Sequence, residues 1–255
     1  MTKGFFTDPT VCIGCKACEV ACKQWNQLGD DGFDLTGMSY DNTGALGAST
    51  WRHVAFVEKP SEERSGVAWI MLSDVCKHCE RAGCLEACPT GAITRTEFGS
   101  VYIQPDICNG CGYCVPACPF GVVARREDDG RAFKCTLCYD RLKGGLEPAC
   151  AKACPTDSIV FGELDDLREM ARDRVDVLHS QGVTSARLYG ESAASQPGTG
   201  GLHAFFLLTE DPEVYNLPPD PVVPTRTAAA AWASAAVAAA GLVIGSLAVV
   251  WADRR

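Results

Sequence analysis

Sixteen cysteines are the most informative residues of this 255-residue chain, because they are gathered into four groups of four. The groups are Cys12, Cys15, Cys18 and Cys22; Cys76, Cys79, Cys84 and Cys88; Cys108, Cys111, Cys114 and Cys118; and Cys135, Cys138, Cys150 and Cys154. The first and third groups have the spacing C-x2-C-x2-C-x3-C, which bacterial [4Fe–4S] proteins use. The second and fourth groups widen only the gap between the second and third cysteine, to four and eleven residues. We therefore interpret the thiols as metal ligands.

A cubane cluster needs one thiolate for each of its four irons. Three cysteines on a tight loop wrap three corners, and in two-cluster ferredoxins the fourth ligand comes from a partner motif. Four motifs therefore predict four [4Fe–4S] clusters that use all sixteen cysteines. The repeat continues after the ligands in CPTGAI (88–93), CPFGVV (118–123) and CPTDSI (154–159). In each, a proline ends the binding segment and we expect a short apolar strand to begin.

Other uses of the cysteines fit this pattern less well. A disulfide framework is usually spread through a small secreted chain, whereas these cysteines are bunched and the N-terminal MTKGFFTDPT lacks a secretory signal. Structural zinc sites usually combine two C-x2-C pairs from separate arms. Zinc, and a mixed set with one three-iron site, are the alternatives left open. His78 adjoins Cys79, and we interpret it as a neighbour of the ligands, because the thiolate sets are already complete.

The remaining composition limits the function. The formal net charge of −9 argues against binding nucleic acid, which requires clustered Lys and Arg. The sequence contains no convincing nucleophile–base arrangement, and the thiolates are all assigned as ligands. We therefore predict that the chain has no catalytic site of its own and transfers electrons.

The elements that position the cysteines follow from hydrophobic patterns. TWRHVAFVEK (50–59) and GVAWIMLS (66–73) are rich in strand-forming residues, and the polar PSEERS between them predicts a hairpin. In 163–182, apolar residues recur at helical spacing, which predicts an amphipathic helix packed on the cysteine domain through one face. The members of that face are Leu164, Leu167, Ala171, Val175 and Leu178. LHAFFLLT (202–209) predicts a strand.

The C-terminal region predicts a membrane span behind a linker. NLPPDPVVPTR (216–226) is rich in proline and predicts an extended, semi-rigid linker. Residues 227–251 carry no charge, and as a helix they would span about 37 Å against a bilayer core of about 30 Å. Trp232 and Trp251 lie where interfacial aromatic residues are found. A buried alanine-rich core helix is the competing interpretation.

Two further signals in this segment are weaker. Gly241 and Gly245 form a small-xxx-small face that would allow close approach of a second helix. Arg226 precedes the span, and Arg254 and Arg255 follow it. By a small margin, the positive-inside rule places the C-terminus in the cytoplasm and the cysteine domain on the outer, extracytoplasmic face of the cell membrane.

Three stretches closely resemble the iron–sulfur (beta) subunit of membrane-bound formate dehydrogenases of the N type. They are GFFTDPTVCIGCKACEVACKQWN (4–26), GMSYDNTGALGASTWRHVAFVE (37–58) and CTLCYDRLKGGLEPACAKACP (135–155). The second stretch contains no ligand, so it has no generic reason to match. The resemblance implies an α+β fold of tandem bacterial-ferredoxin-like modules, each with two clusters, with hairpin insertions and one C-terminal transmembrane helix. The implied units are a four-cluster domain (1–162), a helix and strand packing on it (163–215), the linker (216–226) and the span (227–251).

The resemblance also implies how the cysteines are shared. In the family, motif one pairs with motif four, and motif two pairs with motif three. Transferred to this sequence, the implied ligand sets are Cys12, Cys15, Cys18 and Cys154; Cys22, Cys135, Cys138 and Cys150; Cys76, Cys79, Cys84 and Cys118; and Cys88, Cys108, Cys111 and Cys114. Electrons would pass through the one–four pair and then the two–three pair.

The implied partners lie at the two ends of this electron path. A catalytic alpha subunit containing molybdopterin, with molybdenum or tungsten, would oxidise formate, and a membrane cytochrome b gamma subunit with haem b would pass electrons to quinone. The span would insert in the lipid bilayer and dock that subunit. The alternatives are the same electron-transfer role for a membrane-bound hydrogenase or for another molybdopterin oxidoreductase, and, more remotely, a structural zinc-binding protein.

Overall fold

The computed structural model describes residues 1–30, 32, 37, 40–60 and 67–253. Its strands are β1 (Lys3–Thr7), β2 (Arg52–Pro60), β3 (Val67–Val75), β4 (Ile93–Arg95), β5 (Val101–Ile103), β6 (Ala124–Arg125), β7 (Ala132–Phe133), β8 (Ile159–Glu163), β9 (Arg187–Tyr189) and β10 (Ala204–Leu208). Its helices are α1 (Ala17–Asn26), α2 (Gly83–Glu86), α3 (Tyr139–Lys143), α4 (Ala149–Lys152), α5 (Leu164–Ser180) and α6 (Pro224–Asp253), with 3-10 turns at Pro9–Val11 and Pro212–Tyr215. This mixture confirms the α+β class.

Pairs of antiparallel strands connect consecutive cysteine groups. β2 pairs with β3 between groups one and two, β4 with β5 between groups two and three, and β6 with β7 between groups three and four. After group four, β8 returns to pair with β1, which precedes group one, and Ile159 lies opposite Thr7. The strands expected after the Cys-Pro repeats are therefore present. The β8–β1 pairing brings the first and last cysteine groups side by side.

β1 also belongs to a larger sheet with the strand order β8-β1-β10-β9. β10 is parallel to β1 and antiparallel to β9. All five residues of β10 are buried, and Phe205 stacks on Phe6 with ring centroids 5.5 Å apart. Consecutive buried residues in a strand mean that both faces of the sheet are covered. The hydrophobic core therefore passes through β10.

Helix α5 packs against β1, β8 and β9 of this sheet. The amphipathic helix predicted over 163–182 is observed at Leu164–Ser180. The expected inward face is buried at Leu164, Leu167, Ala171 and Leu178, whereas Val175 is only half-buried. The helical spacing of apolar residues was therefore sufficient to identify both the element and its buried side.

The helix and strand of residues 163–215 are expected to pack on a complete four-cluster domain. In the structure, the strands of this segment belong to the same sheet as β1 and β8. β8 crosses the expected boundary at residue 162 and ends at Glu163. The strand predicted over 202–209 is observed at Ala204–Leu208, where it is inserted between β1 and β9. A local pattern identifies a strand but not its neighbours, because strand pairing is a long-range property. The segment therefore completes the core.

The predicted hairpin forms the two-stranded sheet of β2 and β3. Its register runs from Arg52 opposite Val75 to Pro60 opposite Val67. The expected turn falls on residues 61–66, which lie outside the described residues. The hairpin ends directly before Cys76, so the pairing of β2 with β3 positions the start of the second cysteine group.

The predicted linker is shorter and more closely packed than expected. α6 begins at Pro224, within the proposed linker, because proline is well accommodated in the first turn of a helix. Leu217 and Val223 are fully buried, and Val223 lies beside Gly83 of the cysteine domain. Helix α6 therefore starts from a packed segment and not from a flexible linker.

Helix α6 has the length and composition of a membrane span. Within Pro224–Leu247, the most apolar stretch of 18 residues has a mean hydropathy of 1.8, and none of that stretch is buried in the protein. Trp232, Val237 and Leu242 are exposed in α6, which argues against a buried core helix. Within the described residues it is the one helix with these properties. Arg254 and Arg255, used for orientation, lie outside them.

Replacing Phe205 with alanine should destabilise the protein by about 3–5 kcal/mol, because the change removes a fully buried ring and leaves a cavity in the central sheet. Thermal unfolding followed by circular dichroism should show a lower midpoint for this variant. Met170→Ala, on the exposed side of α5, is the matched control and should leave the midpoint unchanged. Equal midpoints for Phe205→Ala and the native protein would contradict this core.

Candidate metal centres

The loops of the four cysteine groups share one backbone feature. In each, the residue before the second cysteine has a positive φ, with values of 66° at Gly14, 44° at His78, 74° at Gly110 and 59° at Leu137. Glycine adopts this conformation freely, whereas His78 and Leu137 are held in it within the core. The same turn therefore occurs in all four groups, despite their different spacings.

In the first and fourth groups, this turn directs a backbone N–H toward the sulfur of the preceding cysteine. The N–H of Leu137 donates to Cys135 Sγ over 3.3 Å. At the equivalent place in the first group, burial raises the pKa of the Cys12 thiol, and a hydrogen bond from the backbone of Gly14 opposes that shift. A hydrogen bond to sulfur favours the charged form that binds metal. The left-handed residue therefore partly offsets the cost of ionising a buried thiol.

Three cavities are each lined by four cysteines from two groups. The first quartet lines one cavity and consists of Cys12, Cys15, Cys18 and Cys154. The second quartet lines another and consists of Cys22, Cys135, Cys138 and Cys150. The third quartet lines the last of the three and consists of Cys76, Cys79, Cys84 and Cys118. Each cavity combines three cysteines of one group with a single cysteine of another.

The remaining four cysteines form the fourth quartet: Cys88, Cys108, Cys111 and Cys114. Burial, together with the charges of Cys108, Cys111 and Cys88, raises the pKa of the Cys114 thiol to about 11. The structure therefore brings these thiols within electrostatic range of one another. Each expected ligand set thus consists of cysteines that are neighbours in the structure.

The quartets follow one another in a row. Charge interactions connect Cys18 of the first quartet with Cys150 of the second, Cys135 of the second with Cys76 of the third, and Cys84 of the third with Cys114 of the fourth. The two inner quartets are buried except for half-buried Cys118, whereas each outer quartet contains an exposed cysteine, Cys15 or Cys111. The row therefore approaches the protein surface at both ends.

Burial opposes ionisation of the thiols in the absence of metal. It raises the pKa of Cys18 to about 11 and that of Cys84 to about 12. Hydrogen bonding and positive charge partly compensate at Cys18, where the Ser73 hydroxyl lies 3.3 Å from the sulfur and the Arg52 charge lowers the pKa. Metal ligation must therefore displace protons from these buried thiols, which couples metal binding to the folded state.

The arrangement fits an iron–sulfur cubane better than a single ion. Zinc requires four ligands that converge to about 2.3 Å from one atom. Within the described part of the chain, no group of three His, Cys, Asp or Glu side chains is placed to hold one metal ion. The four sulfurs instead surround a cavity, as a multi-atom cluster with a thiolate on each iron requires. Arg52 lines the second cavity, and its buried Nε has no hydrogen-bond partner among the described residues, so it is available to such an acceptor.

His78 occupies the position expected of a neighbour of the ligands. Its Nδ1 accepts a hydrogen bond from the Val101 backbone N–H over 3.1 Å, and it lines the third cavity. Burial and the nearby positive charge of Lys134 hold its pKa well below the usual value, so the ring is neutral.

Sequence reasoning missed Arg52 and Lys134, which line the second and third cavities. No sequence signal marks them, since one lies in a generic hairpin strand and the other just precedes Cys135.

Comparison with protein families defines the class of the protein. A family model described as a 4Fe-4S dicluster domain matches residues 67–164, and a second model with the same description matches residues 11–92. With two dicluster domains and sixteen cysteines, the chain is an electron-transfer protein with four [4Fe–4S] clusters.

Individual relatives identify the family. The nitrate-inducible formate dehydrogenase iron–sulfur subunit of Escherichia coli (strain K12) is 41% identical over 240 residues, which cover 92% of this chain and 79% of the relative. The formate dehydrogenase iron–sulfur subunit of Haemophilus influenzae is 42% identical over 85% of this chain and 68% of its own length. The B subunit of the anaerobic dimethyl sulfoxide reductase of E. coli is 36% identical over 67% of this chain and 78% of its own length. The chain belongs to the family of formate dehydrogenase iron–sulfur subunits, and the resemblance noted in the sequence is confirmed.

Proposed function

We propose that each quartet holds one [4Fe–4S] cluster, so that the last cysteine of each group binds the cluster of its partner group. Three cavities support this assignment, because each is lined by one complete quartet. The charge interactions of Cys114 with Cys88, Cys108 and Cys111 support it for the fourth quartet. When bound, each cluster accepts and donates one electron. The protein excludes water from the inner clusters and supplies hydrogen bonds to their thiolates.

Electrons from formate enter this row at the first quartet and leave it at the fourth. The observation that carries this direction is the position of α2, which bears Cys84, ends two residues before Cys88 and contacts the start of α6. There the Thr225 hydroxyl donates a hydrogen bond to Glu86. The fourth quartet therefore adjoins the base of the membrane helix, and the exposed Cys15 marks the opposite end.

A catalytic subunit containing molybdopterin binds at the first quartet and oxidises formate. Ile13, in the loop between Cys12 and Cys15, and Val20, on α1, expose apolar surface beside this quartet. A cytochrome b subunit with haem b binds at the other end and reduces quinone. Residues 224–253 contain no histidine, so α6 cannot supply axial imidazole ligands and the haem must belong to a partner. The single-electron steps of the clusters connect two-electron formate oxidation to this one-electron acceptor.

The relatives also suggest a second role, in which the same row of clusters would serve another molybdopterin oxidoreductase. The B subunit of the dimethyl sulfoxide reductase matches 67% of this chain, whereas the formate dehydrogenase subunit of E. coli matches 92%. The longer match favours formate as the electron source.

The cluster domain lies on the outer face of the membrane, and the C-terminus lies in the cytoplasm. The support is the distribution of basic residues, with Arg226 before the span and Arg254 and Arg255 after it. Basic residues close to a span are enriched on its cytoplasmic side.

The chain should purify from its own membranes, in mild detergent and without oxygen, with about sixteen irons per chain, since each of four clusters contributes four irons. A molybdopterin subunit and a cytochrome b should accompany it, and added formate should bleach the visible absorbance of the clusters. Zinc in place of iron would overturn the cluster assignment. The same iron content beside a hydrogenase large subunit, with no response to formate, would overturn the substrate.

Replacing Cys154 with alanine should disturb the cluster of Cys12, Cys15 and Cys18, because Cys154 lines their cavity. Electron paramagnetic resonance of the reduced complex should show the loss or conversion of one cluster signal. Cys150→Ala is the matched control, four residues away, and should remove the signal of the second quartet. If both variants affected the same signal, the sharing of cysteines between groups would be wrong.

Protease added to intact spheroplasts should digest the cluster domain and leave a C-terminal epitope tag protected on a short fragment, because α6 holds the tag on the cytoplasmic side. The same protease should remove the tag once the spheroplasts are opened. An intact cluster domain with an accessible tag would show the opposite orientation.

A further inference from the structure

Two positive charges are buried within the row of quartets. The side chains of Arg52 and Lys134 are 1% and 2% exposed. Within the described residues, neither forms an ion pair with a carboxylate. Lys77 is also buried, but Asp74 balances its charge. An unpaired buried cation is strongly destabilising unless another negative group compensates it. Arg52 and Lys134 must therefore be compensated by something other than Asp or Glu.

Arg52 lies between the first and second quartets. Its Nη2 donates to Cys150 Sγ over 3.3 Å, and its Nη1 donates to the Ser73 carbonyl and hydroxyl oxygens, each at 3.3 Å. The guanidinium stacks 4.8 Å from the Phe5 ring centroid, which keeps it away from solvent. Its strongest charge interactions are with Cys150 of the second quartet and Cys18 of the first. The guanidinium therefore faces thiolates of both quartets.

Lys134 occupies the corresponding position between the second and third quartets. Its Nζ donates to the Cys135 carbonyl oxygen over 3.1 Å and to the carbonyl oxygen of Val101. Its strongest charge interactions are with Cys76 and Cys84 of the third quartet, followed by Cys135 of the second. Along the row, one buried cation thus separates the first two quartets and another separates the second from the third.

We propose that Arg52 and Lys134 set the reduction potentials of the clusters beside them, with Arg52 acting on the first and second clusters and Lys134 on the second and third. This inference rests on the ligand assignment proposed above. Reduction adds one electron, and so one negative charge, to a cluster. A nearby cation stabilises the reduced form and raises the potential. In a buried site this effect is large and poorly screened by salt, because little water intervenes.

The second cluster therefore has both Arg52 and Lys134 beside it, whereas the fourth cluster has neither. Loss of either charge should therefore lower the potential of the second cluster, whereas the first and third should each respond to one residue. A residue with only a structural role would instead destabilise its surroundings, without a consistent direction of shift. The pattern of shifts among the four clusters is therefore diagnostic.

The test is a redox titration of the purified complex, with each cluster followed by electron paramagnetic resonance. Arg52→Gln should move the midpoint potentials of the first and second clusters to more negative values, and Lys134→Gln should do the same for the second and third. The double variant should lower the second cluster most, and Arg52→Lys should restore most of the shift, because it keeps the charge. Arg187→Gln is the matched control, because Arg187 pairs with Asp211 at the surface and lines none of the three cavities.

Iron content separates failure of this inference from failure of the proposed function. Native iron content with unchanged potentials in both glutamine variants would overturn the role of the two cations and leave the four clusters in place. Equal shifts in Arg187→Gln, or shifts toward positive values, would also overturn it. If Arg52→Gln failed to assemble, Lys134→Gln and Arg52→Lys would still decide the question. Native protein without cubane iron would instead overturn the proposed function itself.

Discussion

The fold depends on a mismatch between a tight loop and a cubane cluster. A short loop can present three thiolates, but four irons need four, and in the proposed assignment the fourth ligand comes from a distant part of the chain. Strand pairing meets this requirement. β8, which follows Cys154, returns to pair with β1, which precedes Cys12, and Ile159 lies opposite Thr7. The same hydrogen bonds that build the sheet bring the last cysteine group to the first. The pairing of β8 with β1 therefore contributes both to the central sheet and to the first cavity.

A second constraint follows from burying so many sulfur ligands. Thiolates and clusters carry negative charge, and the interior provides few ways to stabilise it. The chain uses three: backbone N–H groups from left-handed turns, hydroxyls such as that of Ser73, and the buried cations Arg52 and Lys134. These contributions are interdependent, because the cations would be costly without the thiolates and the buried thiols would remain protonated without the metal. Cluster insertion and folding of the core are thus energetically linked.

The sequence was informative wherever structure is local. Cysteine spacing identified the binding loops, helical periodicity identified α5 with its buried face, and the Cys-Pro repeats identified the starts of β4, β6 and β8. The sharing of cysteines came from family resemblance, since spacing alone does not say which groups meet. The insertion of β10 between β1 and β9 was missed because pairing partners are set by packing across the whole chain. Leu137 was equally invisible, since a leucine held at φ 59° by its burial leaves no local signal, whereas Gly14 and Gly110 do.

The position of α6 relates the buried row of cysteine quartets to the membrane helix. A membrane helix on a free linker would leave the cluster domain able to rotate above the bilayer, and electron transfer would depend on that motion. Here Leu217 and Val223 are buried, Val223 lies beside Gly83, and α6 starts beside α2, which carries Cys84 and leads to Cys88. A Cβ at Gly83 would lie 2.3 Å from the Ala117 carbonyl oxygen and 3.3 Å from Val223 Cγ1, so glycine is required mainly by the approach of Ala117 and also leaves room for Val223. In the proposed arrangement, this packing holds one end of the row at the start of the helix and leaves the end with the exposed Cys15 for the catalytic partner. If so, the contact that anchors the domain also orients the proposed path of the electrons.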